Sequence, residues 1–349
     1  MTTHNFPGFS SPSASTEAPL EMLAACHGRV EQQCRTLLRL PPHLQAHGAD
    51  ESARQAARAV MRYFDTAARD LAGAAFALRL RREDEGWVQT LKGRGDGMMR
   101  RLEHNAPVDL PPRAGADAVP ALSLGRHAGT PAGIALAALL ASRGLGEADL
   151  ALQFSTDIQR LSREIEAEGA RVELALDIGT IEAGSATLPV HEIEFELLDG
   201  SAHGLLAQSY LWVEAFGLWL DVRSKAERGD RLARGETVAP LPEFVTLPQE
   251  APFGARVAAL LRPVLALAAE VADEQATPAH QVALTRGMSD LAGLLREAGV
   301  EPWLSDTATL LAGLAFEPGA WRLADTQRLW LALIGFTLPD EAEAPSAAS

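Results

Sequence analysis

The chain has 349 residues, enough for two or three domains and for a core that apolar burial alone can hold. With 31 Lys and Arg against 46 Asp and Glu, its formal charge of -15 at pH 7 argues against a general nucleic-acid or anionic-membrane binder, while leaving room for a local basic pocket. Only Cys26 and Cys34 could form a disulfide, they are too far apart on one helix to do so, and no apolar run is long enough to span a bilayer, which fits a reducing, cytoplasmic setting.

In chain order, residues 1–18 lack both a basic start and an apolar run and read as a disordered arm. Leu20, Leu23, His27, Val30, Cys34 and Leu37 then recur at three- and four-residue steps, the stripe of an amphipathic helix. After the break "LPPHLQAHGAD", the run "DESARQAARAVMRYF" predicts a second helix with Asp50 as N-cap, so 19–62 reads as a helical hairpin. From Phe76 the period changes to two. "FALRLRR" alternates Leu78 and Leu80 with Arg79 and Arg81, and "WVQTLKG" returns after the acidic turn "EDEG" as the second arm of a β-hairpin.

A Pro-rich loop (107–120) and a helix in "AGIALAALLASRG" precede further strands. "RVELALDIG" puts Glu173 and Asp177 on one face and Val172, Leu174 and Leu176 on the other. "HEIEFELLDG" sets Glu192, Glu194 and Glu196 opposite Ile193, Phe195 and Leu197. A helix over 203–218 leads to "LWLDVRSKAERG", and an acidic, Pro-rich linker (234–252) separates all this from 253–338. There the helical period returns at Val257, Leu260, Leu261 and Val264, and a polar tail (339–349) closes the chain.

The charged strands segregate by sign: Arg79, Arg81 and Lys92 on one set, Glu173, Asp177, Glu192 and Glu194 on the other. A single strand of this kind is often a wet sheet face. Carboxylates at every second position repel one another unless cations compensate, and a hard divalent ion with oxygen ligands is the natural compensator. If such strands close into a barrel, its lumen suits a polyanion bridged to metal, with Arg forks gripping phosphate oxygens. No Gly-rich Walker-type loop occurs in this region.

The run "YFDTAARDLAGAAFALRLRREDEGWVQTLKGRG", followed by "MMRRLEHNAPV", "FSTDIQR", "RVELALDIG", "HEIEFELLDG" and "RSKAERG", closely resembles the CYTH superfamily of triphosphate tunnel metalloenzymes, particularly bacterial inorganic triphosphatases. The resemblance covers 63–233 and implies an α+β fold built on an antiparallel β tunnel. It implies metal-dependent hydrolysis of inorganic triphosphate or a short polyphosphate, with Mg²⁺ or Mn²⁺ as cofactor. Arg79, Arg81, Lys92, Arg101, Arg160 and Lys225 would bind the triphosphate; Glu103, Glu173, Asp177, Glu192 and Glu194 would serve the metal, with Glu196 a further candidate; Glu192, Glu194 and Lys92 would form the catalytic set.

The family normally opens with a strand bearing Glu-x-Glu-x-Lys, which nothing ahead of Tyr63 supplies, so the tunnel is expected to lack its first strand and to work at reduced activity. An unpaired edge of that kind invites association into homo-oligomers. The segment "LEMLAACHGRVEQQCRTLLRLPPHLQAHGADESARQAARAVMRYFDTAA" resembles the opening of a bacterial hemerythrin-like protein, truncated before a metal site could be completed, with His27 at the position of an iron ligand. The C-terminal region resembles a degenerate CHAD domain, in which His280 is expected to pack rather than bind. A non-catalytic polyphosphate- or nucleotide-binding module, a cyclase on the same tunnel fold and an iron or oxygen sensor stay open as alternatives.

Overall fold

The computed structural model describes residues 55–83, 86–94, 101–109, 118–167 and 169–338. Among the described residues seven strands form one antiparallel sheet of tunnel-like fold: β1 (Gln55–Asp65), β2 (Ala77–Glu83), β3 (Gly86–Arg94), β4 (Arg101–Val108), β5 (Ala151–Ala167), β6 (Ala170–Ala183) and β7 (Ala186–Gly200). Their spatial order is β4-β3-β2-β1-β5-β6-β7, so β1 is the middle strand. The helices that flank the sheet are α1 (Asp70–Gly73), α2 (Pro131–Ser142), α3 (Ala202–Phe216) and α4 (Lys225–Ala233).

The middle strand corrects the sequence reading. Residues 55–65 were expected to continue the second helix of a hairpin, since Ala, Arg, Gln and Met favour helices. They form β1 because Ala59, Met61 and Tyr63 are buried while Arg58, Val60 and Arg62 between them are not, a period of two. β1 also pairs on both sides, with β2 and with β5, and those ladders plus burial override a weak local propensity. The remainder of that hairpin, His27 included, lies outside the described residues.

The two faces of the sheet carry separate cores. On one, Leu78 and Leu91 pack with Leu71 and with Ala132, Leu136 and Leu140 of α2. On the other, Ala59, Met61, Tyr63, Phe154, Ile158, Ile181 and Val190 form a small apolar floor beneath Ala226, Leu232 and Ala233 of α4. The expected helix over 203–218 is α3, and the helix in "AGIALAALLASRG" is α2, opened by Thr130, whose Oγ1 accepts from the Gly133 N–H.

Residues 253–338 are helical as the period requires: α5 (Phe253–Ala272), α6 (Pro278–Ala298), α7 (Pro302–Gly313) and α8 (Ala324–Gly335). They share the largest core, from Val257 and Leu261 through Leu284 and Leu291 to Trp321 and Trp330, and Leu206 and Val213 of α3 join it. His280 is buried there with both ring nitrogens partnered, one by Thr277 and one by the carbonyl of Ala239. No helix among the described residues is long and apolar enough to cross a membrane.

Candidate active site

Register decides which charges meet. Arg79 and Arg81 lie opposite Tyr63 and Met61, Lys92 opposite Ala77 and Glu103, Arg160 opposite Asp177, Asp177 opposite Glu192, Ala175 opposite Glu194, and Glu173 opposite Glu196. Directly opposed residues share a face and alternate positions along a strand return to it. Glu103, Lys92, Arg79, Arg81, Arg160, Glu173, Asp177, Glu192 and Glu194 therefore all belong to one face of the sheet, the face with the apolar floor. Arg101 opens β4 opposite Arg94, a register position of the same parity; its side chain lies outside the described residues.

At one end of this face a carboxylate cluster closes around Asp177. Among the described residues, Asp177, Glu192 and Glu194 present carboxylate oxygens within 4.8 Å of one another. Asp177 is 0% exposed and accepts two hydrogen bonds from Arg160, at 2.7 Å from Nε and 2.6 Å from Nη2. Arg160 also bonds to Glu194. The Lys225 ammonium lies 2.7 Å from Asp177 and 2.7 Å from Glu194 and also pairs with Glu192, which in turn takes Arg228.

These charges tune one another. Burial pushes the Glu194 carboxyl up, but the Lys225 and Arg160 charges and their hydrogen bonds outweigh it and hold it down at about 2. For Lys225 burial lowers the pKa and the surrounding Glu194, Glu192 and Asp177 more than reverse it, so the ammonium is held charged. Glu173 sits at the cluster's rim: burial raises its carboxyl, Arg160 only partly offsets that, and Glu196, Glu164 and Glu194 raise it further. Three converging carboxylate oxygens are ligands that a small hard cation selects, and such a cation would take the place that the Lys225 ammonium holds at their focus.

The other half of the face carries the cations Arg79, Arg81 and Lys92. Arg79 donates through Nη1 to the Tyr63 hydroxyl at 3.2 Å and to the Met61 sulfur at 3.3 Å, while its Nε is buried with no hydrogen-bond partner. Arg81 stands two residues along β2, directly opposite Met61. Lys92 pairs with Glu103 at 2.9 Å. Burial raises the Glu103 carboxyl, but Lys92, a hydrogen bond from Asn105 and the Arg79 charge leave it lowered overall.

Lys225 reaches the cluster because α4 starts at it. Ser224 is the N-cap, its Oγ accepting from the Glu227 N–H, which ends the extended segment and turns the chain into a helix lying on β5, β6 and β7. Gly229 permits the close approach: a Cβ there would fall 2.2 Å from the Phe154 ring. Arg228 was missed by the sequence reading. Its signal was the spacing from Lys225, one helical turn, which puts both cations on the same side of α4. Arg69, in the left-handed region at φ 63°, reaches Asp230 of α4 at 3.6 Å and was also missed.

Residues 49–228, just over half of the chain, match the CYTH domain family. The chain belongs to the CYTH family. A curated relative, an inorganic triphosphatase of Haemophilus influenzae, is 31% identical over 174 residues, which is 48% of this chain and 44% of that protein. A second protein of that organism, described as uncharacterized, is 38% identical over 55 residues, or 16% of this chain and 32% of its own length. The chain thus spans less than half the length of either relative. Among solved structures, a putative adenylate cyclase from Bacillus halodurans is similar at a TM-score of 0.30 and 21% identity, over 50% of this chain and 80% of that one. A putative adenylyl cyclase from Hippeastrum, titled as having a dominant triphosphatase activity, is similar at a TM-score of 0.36 and 19% identity, over 58% of this chain and 94% of that one.

Proposed function

We propose that this CYTH protein hydrolyses inorganic triphosphate to diphosphate and phosphate, with Mg²⁺ or Mn²⁺ held by Asp177, Glu192 and Glu194. The observation that carries the reading is that the arginine- and lysine-bearing strands and the carboxylate-bearing strands present their charges on the same face of one sheet. The 31% identity to an inorganic triphosphatase supports it.

In this reading Arg79 and Arg81 grip the phosphate oxygens of one end of the substrate as paired forks, and Lys92 adds a point charge once it turns from Glu103. Arg160 holds Asp177 and Glu194 in place, while Lys225 and Arg228 offer their charges to the phosphates from the α4 side. Glu103 and Glu173 flank the set as outer carboxylates. A bound divalent cation supplies neutralisation of phosphate charge and a lowered pKa for water. Water attacks the terminal phosphorus in line and the bridging oxygen leaves with the diphosphate. No Glu-x-Glu-x-Lys pattern stands ahead of Tyr63, and β1, the strand found there, sets Ala59 and Met61 rather than carboxylates on the charged face; this leaves fewer carboxylates for the cation, so turnover is proposed to be reduced.

The deciding experiment is phosphate release from tripolyphosphate in the presence of Mg²⁺ or Mn²⁺. Release that depends on the added cation is expected, and a folded sample that shows nothing above background overturns the hydrolase reading. A second reading, polyphosphate binding without turnover, is favoured by one observation: the Lys225 ammonium already sits among all three carboxylates as an internal counter-ion. Calorimetry showing tripolyphosphate binding in a sample that releases no phosphate would select it.

A further inference from the structure

Both lysines of the chain, Lys92 and Lys225, stand on the charged face of the sheet, and Lys225 is the one whose place depends on a short helix. At nine residues α4 is too short to hold itself in water, so its position comes from what grips it. Toward the sheet it is held by Lys225 and Arg228 on the carboxylates and by Gly229 against Phe154. On its other side it is held from the C-terminal helices, and that contact converges on one carboxylate.

Glu270, near the end of α5, is 3% exposed, unusual for a glutamate unless it is paired. It accepts from Arg231 Nη1 at 2.5 Å and Nη2 at 3.3 Å, and from Arg223 Nη1 at 3.2 Å. These two arginines bracket Lys225: Arg223 lies two residues before it, in the segment that leads into the Ser224 cap, and Arg231 lies in the last turn of α4. Arg223 has other anions, Asp221 at 2.7 Å and Asp273, whereas among the described residues the further hydrogen bond of Arg231 besides Glu270 is a 3.5 Å contact to the Thr237 carbonyl, with Glu227 acting on it through charge alone. One buried carboxylate from outside the sheet thus ties down both ends of the segment that carries the ammonium.

We propose that Glu270 is a positioning residue: by clamping Arg223 and Arg231 it holds α4 in the register that seats the Lys225 ammonium among Asp177, Glu192 and Glu194, so the C-terminal helices set the state of the site without touching it. The functional weight of this clamp rests on the reading of Lys225 given above, but its geometry does not. Removing the charge of Glu270 leaves the largely buried Arg231 with no hydrogen-bonded carboxylate, the condition in which a broken pair destabilises its surroundings most. The strain falls on α4, the shorter and less embedded partner, rather than on α5 in the large core.

The test is acetylation of the full-length protein with a water-soluble amine reagent, read residue by residue by mass spectrometry. Lys92 serves as the internal reference, since its side chain is 33% exposed against 7% for Lys225. In the wild type Lys225 is expected to react more slowly than Lys92. In Glu270→Gln the Lys225 to Lys92 ratio is expected to rise by roughly threefold or more, the size of a coupling between contacting residues, and Glu270→Asp, which keeps the charge, is expected to restore much of the protection. A Lys225 that stays as protected in folded Glu270→Gln as in the wild type overturns the proposal. Should that variant fail to fold, Arg231→Gln is read in the same way: a raised ratio supports the clamp and an unchanged one sinks it. Because labelling needs neither turnover nor added cation, an inactive chain with a raised ratio refutes only the hydrolase, and an active chain with an unchanged ratio refutes only the clamp.

Discussion

Replacing Asp177 by Asn keeps the shape of the side chain and removes its charge at the point where the site is most enclosed. Asp177 is fully buried and accepts two charge-assisted hydrogen bonds from Arg160, and it pairs with Lys225 at 2.7 Å. Breaking a buried ion pair costs about 3–5 kcal/mol, because the surviving charge has lost its partner without regaining water. Here Arg160 keeps Glu194, and Lys225 keeps Glu192 and Glu194, so the loss belongs near the bottom of that range, about 3 kcal/mol. That is roughly a 150-fold change in the folding equilibrium. Urea denaturation followed by circular dichroism should show the midpoint falling with the slope unchanged, as a loss of stability without a change in compactness requires. In the same sample, cation-dependent phosphate release should disappear. A midpoint shift worth less than about 1 kcal/mol together with undiminished phosphate release would show that Asp177 neither anchors Arg160 nor belongs to the reactive centre.

Two further outcomes come from other parts of the molecule. His127, buried and paired Nδ1 to Nδ1 with His104 at 2.9 Å, has its pKa pulled down from 6.5 to about 4, first by burial and then by the charges of His104 and Arg126. Between those values the unfolded chain binds the proton and the folded one does not, so its contribution is complete above 6.5 and is lost as pH falls, by about 3 kcal/mol on reaching pH 4; urea midpoints at pH 7 and pH 5 should differ less in His127→Gln than in the wild type, and equal differences would contradict the assignment. Gly229→Ala would place a methyl 2.2 Å from a Phe154 ring that is itself stacked on Tyr63 at 4.4 Å, so α4 must lift and KM for tripolyphosphate should rise by on the order of tenfold; an unchanged KM would show that α4 does not set the Lys225 position.

The alternating runs were legible because one residue type fixes one face. "FALRLRR", "RVELALDIG" and "HEIEFELLDG" turn the expected sides toward and away from the core, and the segregation of charge by strand survives as two halves of one face. β1 was not legible, because its alternation runs through Ala59, Val60, Met61 and Arg62, residues that a helix would bury as readily. Its strand identity comes from neighbours on both sides, which lie far away in sequence, as the pairing of Arg58 with Asp157 at 2.8 Å illustrates. Lys225 was named through the motif "RSKAERG", but that it opens a helix and meets three carboxylates at once depends on the Ser224 cap and on Gly229, and the proposed clamp depends on Glu270, 39 residues beyond Arg231.

The strand at the centre of the sheet carries none of the proposed ligands, yet it is the keel to which both flanks are fastened. β2 is laid against one side of it and β5 against the other, and a bulge between Tyr63 and Phe64 adjusts the second of these registers. A slip of one residue there would leave every hydrogen-bonded ribbon intact while turning the guanidinium groups of one flank to the reverse side from the acids of the other. Variation among related chains should therefore be freer in the side chains of this keel than in its length, for an inserted or deleted residue would part the two charges without altering either.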